Sequence, residues 1–227
     1  MYALYIANKN YSSWSLRPWV LLKMLGIEFE ERFVPFPQHQ DDGDFHRFSP
    51  TGLVPCLVDG ERTVWDSLAI TEYVAEDYPQ VWPDDRSARA WARSAVAEMH
   101  SGYTALRTIC GMTIGVRVRL NEIGPALQAD LDRLEQVWRV GLSRFGGPYL
   151  AGDRFTAVDA FFCPVAFRIQ TYGLPLGEQA LDYAARLRAL APMREWYEAG
   201  LAETLRDAPH DAEIAQFGVL TEDLRAT

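Results

Sequence analysis

The sequence predicts a mixed α/β segment followed by a longer, helix-rich one. Strand signals and helix starts alternate over residues 2–74, where β-branched and turn residues dominate. Ala, Leu, Arg and Glu take over the rest of the chain.

Tyr2-Ala3-Leu4-Tyr5-Ile6-Ala7 is short and apolar, with turn residues at Asn8 to Asn10, and reads as a buried strand. Leu16, Trp19, Val20, Lys23 and Met24 then recur at helical spacing until Gly26 supplies the stop. Between them lies Tyr11-Ser12-Ser13-Trp14-Ser15-Leu16-Arg17-Pro18-Trp19. Pro18 has no N–H and is tolerated only in the first turn of a helix. Ser15 as N-cap therefore puts it at the third helical position. Ser12 and Ser13 then fall just ahead of the helix, where hydroxyls and backbone N–H groups gather at a point that suits an anion. The same serines also read as turn and cap residues without chemistry.

A second stretch, Ser49-Pro50-Thr51-Gly52-Leu53-Val54-Pro55-Cys56-Leu57-Val58-Asp59-Gly60, leads into Val64-Trp65-Asp66-Ser67-Leu68. Residues 56–58 and 63–65 around Asp59-Gly60 read as a hairpin. Pro55 sits at a strand start, where its missing N–H does no damage. Asp66 or Ser67 opens a helix whose apolar face is Leu68, Ile70, Thr71 and Val74. Far downstream stands Leu150-Ala151-Gly152-Asp153-Arg154-Phe155-Thr156-Ala157-Val158-Asp159-Ala160, in which Thr156 and Asp159 form a capping box.

Taken together, these three stretches resemble the glutathione transferases. Strand, serine-bearing helix start, Val-Pro, hairpin and an acidic residue with Ser opening a helix is the pattern of that family's thioredoxin-like domain. Residues 150–160 are similar to the folding signature of its helical domain. The spacing is most like the serine-type classes, theta and especially zeta. The zeta motif Ser-Ser-Cys-Ser-Trp-Arg is matched here by Ser12-Ser13-Trp14-Ser15-Leu16-Arg17. The resemblance covers nearly the whole chain and implies the glutathione transferase fold. Residues 1–79 would be the thioredoxin-like α/β domain, 80–87 a linker, and 88–227 an all-helical (all-α) domain carrying the electrophile pocket. Tyr78 to Asp85, with prolines at 79 and 83, is the natural linker. A homodimer is also implied, with Trp65 and Phe48 as candidate contact aromatics.

Composition agrees and excludes other classes. The net charge of −9 and the lack of a basic patch argue against nucleic acid and a membrane surface as partners. No basic leader precedes the first strand, and no apolar run reaches the length of a membrane span. Cys56, Cys110 and Cys163 are odd in number and scattered, which fits neither a disulfide framework nor a metal site. They read as buried small hydrophobes in a cytoplasmic protein.

The resemblance also implies residue roles, with glutathione as co-substrate and no metal. Asp66 and Ser67 would hold the γ-glutamyl end, a carboxylate for its ammonium and a helix start for its carboxylate. Val54, ahead of a cis bond to Pro55, would pair with the cysteinyl backbone, and Ser13 would assist. Gln40 matches the position reaching the glycyl end, with His39 or His46 as substitutes. Ser12 would donate to the thiolate, with Ser13 and Ser15 as alternatives. A free thiol has a pKa of about 8.5, and lowering it by roughly two units asks for about 2.7 kcal/mol. A hydroxyl donating to a charged sulfur supplies about 1.5–3 kcal/mol, so no general base is required. Arg17 either assists the thiolate or pairs with a carboxylate of the helical domain. Tyr103, Thr104 and Arg107, on a helix expected over residues 89–107, would line the electrophile pocket with Trp14, and Arg107 would favour an acidic electrophile. Trp14 replaces the Cys of zeta, which bears on maleyl-type cis–trans isomerisation. A non-catalytic binding or interaction protein of the same fold is the alternative from another class.

Overall fold

The computed structural model describes residues 1–36 and 45–226. Strands β1 (Tyr2–Ile6), β2 (Phe29–Phe33), β3 (Cys56–Asp59) and β4 (Arg62–Trp65) form one sheet in the order β2-β1-β3-β4. β1 is parallel to β2 and antiparallel to β3, and β3 and β4 make the expected hairpin. β1 is interior because Leu4 and Ile6 are fully buried. β2, Phe-Glu-Glu-Arg-Phe, is a largely exposed edge without apolar alternation, so the sequence pattern does not show it.

Helix α1 (Ser13–Met24) packs against α2 (Ser67–Asp77), α6 (Ala157–Tyr172) and α8 (Ala191–Ala202). Leu16, Trp19, Val20, Leu21 and Leu22 are all buried. Its start corrects the expected cap. Ser12, not Ser15, is the N-cap, and its Oγ accepts from the Ser15 N–H at 3.3 Å. Pro18 therefore lies deeper in the helix, where it removes the bond to the Trp14 carbonyl.

The thioredoxin-like part is followed by a helical part, joined by a 3₁₀ turn at Pro79–Val81. Val81 and Trp82 are buried, so the connection is packed. Helices α3 (Arg86–Ser101), α4 (Thr104–Ile109), α5 (Pro125–Phe145), α6, α7 (Glu178–Ala189), α8 and α9 (Ala208–Phe217) follow. The helix expected over 89–107 is broken between α3 and α4. Gly102 is extended, a Cβ there would meet the Glu98 carbonyl oxygen at 2.8 Å, and Tyr103 takes a left-handed φ of 55°. The helical part also carries an antiparallel ribbon of β5 (Val116–Leu120) and β6 (Gly218–Asp223). No helix among the described residues is long and apolar enough to cross a membrane. The three cysteines are buried and unpaired.

Every residue of α6 except Gln170 is buried. Asp159 makes this possible. Its carboxylate accepts from the Thr156 N–H (2.9 Å), the Leu150 N–H (3.0 Å) and the Tyr183 hydroxyl (2.7 Å). Burial lifts its pKa to about 6 against these donors. Asp159→Ala strands three buried donors and is expected to lower stability by about 3 kcal/mol in urea unfolding. The pH trend has a definite sign. The carboxyl titrates higher folded than the roughly 3.9 of an unfolded aspartate, so the stability linked to its protonation is full below about pH 4 and lost by about pH 6, while the accepted hydrogen bonds remain. Asp159→Asn, which does not titrate, should gain on the wild type as pH rises through that window.

Candidate active site

The N-terminus of α1, the loop before β3 and the start of α2 face the helical part across two adjoining cavities. Trp14, Leu53 and Val54 line both. One, of about 450 Å³, is also lined by Tyr11, Ser12, Ser13, Arg107 and Arg168. The other, of about 490 Å³, reaches Pro55, Trp65, Asp66 and Ser67.

Loop geometry builds the second cavity. The Val54–Pro55 bond is cis. Gly52 has a φ of 65°, and a Cβ there would meet the His46 ring at 2.5 Å, so only glycine lets the loop lie against that imidazole. Asp66 holds a φ of 76°, a strained conformation for a non-glycine residue of the kind found at ligand sites. It caps α2, with Oδ1 accepting from the Leu68 N–H at 2.7 Å and Oδ2 3.4 Å from His100 Nε2. Burial pulls the His100 imidazole below its ordinary value, Asp66 opposes this, and Arg17 and Arg107 add to it. Ser67 Oγ is buried without a hydrogen-bond partner among the described residues.

The three serines differ. Ser12 and Ser13 line the first cavity, while Ser15 is fully buried behind them. Ser12 Oγ donates to Ser15 Oγ at 2.7 Å, and Ser15 Oγ also accepts from the Ala7 N–H at 3.3 Å. Ser13 Oγ accepts from Arg168 at 3.4 Å.

Three guanidiniums meet here. Arg17 is fully buried, and its three nitrogens have no hydrogen-bond partner among the described residues. It stacks on Trp14 (4.1 Å to the ring centre) and Phe161 (4.9 Å). Of the two readings of Arg17, pairing with a carboxylate of the helical part is not seen among the described residues, where the rings of Trp14 and Phe161 flank it. Burial drives its pKa well below the ordinary value, Arg107 and Arg168 add to this, and Asp66 opposes it. Arg107 lies over Trp14 at 4.7 Å and donates to the carbonyls of Met99, His100 and Gly102 at the end of α3. Burial, with Arg168, lowers it to about 10. Arg168 is 4% exposed and donates to the Cys110 carbonyl as well as to Ser13.

The structure thus brings together Ser12, Ser13, Trp14, Val54 and Arg107 in one cavity and Trp14, Val54, Pro55, Asp66 and Ser67 in the other. Tyr103 and Thr104 are not among the lining residues. The chain reversal before α4 turns Tyr103 into the core, edge-on to Phe162, with its hydroxyl on Glu98. Gln40 and His39 lie outside the described residues. Arg168, Tyr11, His210 and Glu213 also line the first cavity and escape the sequence reading. Arg168 alone carries a signal, a charge inside the apolar run Phe161 to Ile169.

Comparison with known proteins agrees with this geometry. Residues 11–77 match the glutathione S-transferase N-terminal domain, and 117–199 match the C-terminal domain. A probable maleylacetoacetate isomerase from Vibrio cholerae is 30% identical over 190 residues, covering 79% of this chain and 88% of that protein. A zeta-class glutathione S-transferase from Euphorbia esula is 30% identical over 159 residues, covering 67% and 70%. The crystal structure of a glutathione transferase homologue from Burkholderia GL BGR1, with bound glutathione, superposes with a TM-score of 0.65 at 26% identity, covering 88% of this chain and 97% of that one. The chain belongs to the glutathione S-transferase family, and its motifs are of the zeta and theta kind. Among the described residues no cluster of His, Cys, Asp and Glu is placed to hold a metal.

The buried, unpaired Arg17 charge opposes folding. Arg17→Met is expected to raise the unfolding free energy by at least about 1 kcal/mol, because it removes an uncompensated charge while keeping the stack on Trp14. Urea unfolding of the unliganded protein measures it.

Proposed function

We propose that the chain binds glutathione across both cavities and activates its thiol through Ser12 for attack on a small electrophile. The observation that carries this reading is the start of α2. There a strained Asp66 and a buried, unpartnered Ser67 hydroxyl open onto a cavity that continues past Val54 to the first cavity. A γ-glutamyl ammonium and carboxylate match Asp66 and the Ser67 hydroxyl in charge and hydrogen-bonding sense. Val54 offers its backbone to the cysteinyl residue, and Ser13, Gln40 and Pro55 complete the glutathione site. The thiol then falls near Ser12, at the positive end of α1 and above Arg17.

The electrophile occupies the first cavity, bounded by Trp14, Arg107 and Arg168, and these guanidiniums favour an acidic one. A second reading rests on the maleylacetoacetate isomerase relative. Reversible thiolate addition would let a maleyl-type double bond rotate and return glutathione unchanged. Trp14 in place of Cys alters the wall of that pocket. The reading carries a homodimer with it. Trp65 is 43% exposed at the sheet edge and available for that contact, whereas Phe48 is stacked on Tyr5.

Thiolate absorbance of bound glutathione, followed against pH, tests the proposal. The bound thiol should titrate well below its free value in the wild type and return upward by roughly one to two units in Ser12→Ala. Ser67→Ala should weaken glutathione binding about tenfold by calorimetry, for one lost charge-assisted hydrogen bond. Saturable binding with an unshifted thiol would instead assign a binding protein of this fold.

A further inference from the structure

We infer that His210, oriented by Asp207, is the proton donor that completes addition of a thiolate to an electrophilic double bond in the first cavity. The inference rests on the glutathione reading above and assigns a residue that no motif of the sequence marks.

Asp207 is the N-cap of α9 and is 6% exposed. Its Oδ2 accepts twice from His210, from the backbone N–H at 3.2 Å and from ring Nδ1 at 2.5 Å. The cap itself needs only the backbone bond, which any residue at that position supplies. The ring bond is additional, and it fixes which nitrogen is available. With Nδ1–H committed to the carboxylate, Nε2 is the ring atom left to exchange a proton. The ring is also packed against two aromatic rings. Its centre lies 5.2 Å from that of Tyr11 and 5.1 Å from that of Phe36. Tyr11 is itself held, its hydroxyl donating to Asp211 at 3.1 Å and accepting from Arg225 at 3.0 Å. His210 lines the cavity that Ser12, Ser13, Arg107 and Arg168 also line.

A histidine backed by a buried carboxylate, fixed in tautomer and facing a substrate cavity, is built for general acid–base work. Among the described residues the charged groups around it are Asp207, Asp211, Glu213 and Arg225 from the C-terminal segment, Arg107 from α4 and Arg168 from α6, with Tyr11 beside its ring. The step balances. The sulfur pair forms the C–S bond at the β-carbon, and the π pair moves to the α-carbon and its electron-withdrawing group. The Nε2 proton of the imidazolium then passes to the α-carbon. Solvent reprotonates the ring, replacing the proton that the thiol released on ionising. Displacement of an aryl chloride needs no such delivery, because chloride leaves as the anion.

The test compares wild type, His210→Gln, His210→Ala and Asp207→Asn with glutathione and two probes, 4-phenyl-3-buten-2-one for addition and 1-chloro-2,4-dinitrobenzene for displacement. Thiolate absorbance of bound glutathione is read for each protein. In His210→Gln the bound thiolate should persist while kcat for the enone falls about 100-fold. The ratio of addition to displacement should fall at least about tenfold, and imidazole in the buffer should restore part of the enone rate to His210→Ala. Asp207→Asn, a change at a positioning residue, should shift the pH profile of the enone rate. Unchanged addition, equal loss with both probes, or loss of the bound thiolate in His210→Gln would overturn the proposal in favour of a structural role. Absence of a bound thiolate in the wild type would overturn the glutathione reading and this inference with it.

Discussion

Three guanidiniums enclosed in one apolar junction set the terms for the rest of this site. Taking even one such ion out of water costs several kcal/mol after relaxation. Arg107 recovers part of this from carbonyls at the end of α3, and Arg168 from Cys110 and Ser13. Arg17 has only the faces of Trp14 and Phe161, and desolvated cation–π contacts supply about 2 kcal/mol or more. Carboxylates offset part of this charge, Asp66 acting on Arg17, Asp130 on Arg107 and Glu213 on Arg168. An anion entering the first cavity meets Arg107 and Arg168 already in place. This also resolves an apparent conflict with the global charge. A net charge of −9 repels anions at long range, but screening confines that repulsion to about 10 Å, while buried arginines act at contact.

The strain concentrated there is offset by rigidity around it. The loop between β1 and α1 is pinned from the helical part. Glu203 accepts from the Lys9 and Asn10 N–H groups, Trp196 donates to the Lys9 carbonyl, and Asn10 takes the Gly115 N–H. These bonds fix Tyr11 and Ser12 relative to α6, which holds Arg168 and is capped by Asp159. The serine end of α1 thus belongs to the sheet by sequence and to the helices by contact.

What could be read in the sequence was whatever depends on short spacing. The β3–β4 hairpin, the Asp66–Ser67 helix start and the Thr156–Asp159 capping box each lie within a dozen residues, and their chemistry is local. What escaped depends on distance. Arg168 reaches Ser13 across the interface of two parts of the chain, and His210 lies beside Tyr11 although some 200 residues separate them. The broken helix at Gly102 escaped for a different reason. Helical spacing continues through residues 99–107, and the turn shows only in the backbone, in the extended Gly102 close to the Glu98 carbonyl and the left-handed Tyr103. Tyr103 and Thr104 were carried away from the cavity by that turn, while Arg107 was carried into it.

The cap found at Ser12 raises one further question for the proposed chemistry, because its hydroxyl is already engaged. Ser12 donates to Ser15, and Ser15 also accepts from the Ala7 N–H. A hydroxyl that spends its proton on a neighbour has none for a thiolate. Two hydroxyls 2.7 Å apart, however, share one hydrogen bond that either can donate. Rotation about two C–O bonds reverses it, so that Ser15 donates to Ser12 and Ser12 donates outward. No heavy atom moves, and the Ala7 N–H keeps its acceptor. The reversed chain is also the better one for an anion, since each donor polarises the next. Ser15 then ceases to be a rival of Ser12 and becomes the group that completes its hydrogen bonding, which gives a physical reason for a buried serine behind the one that faces the cavity.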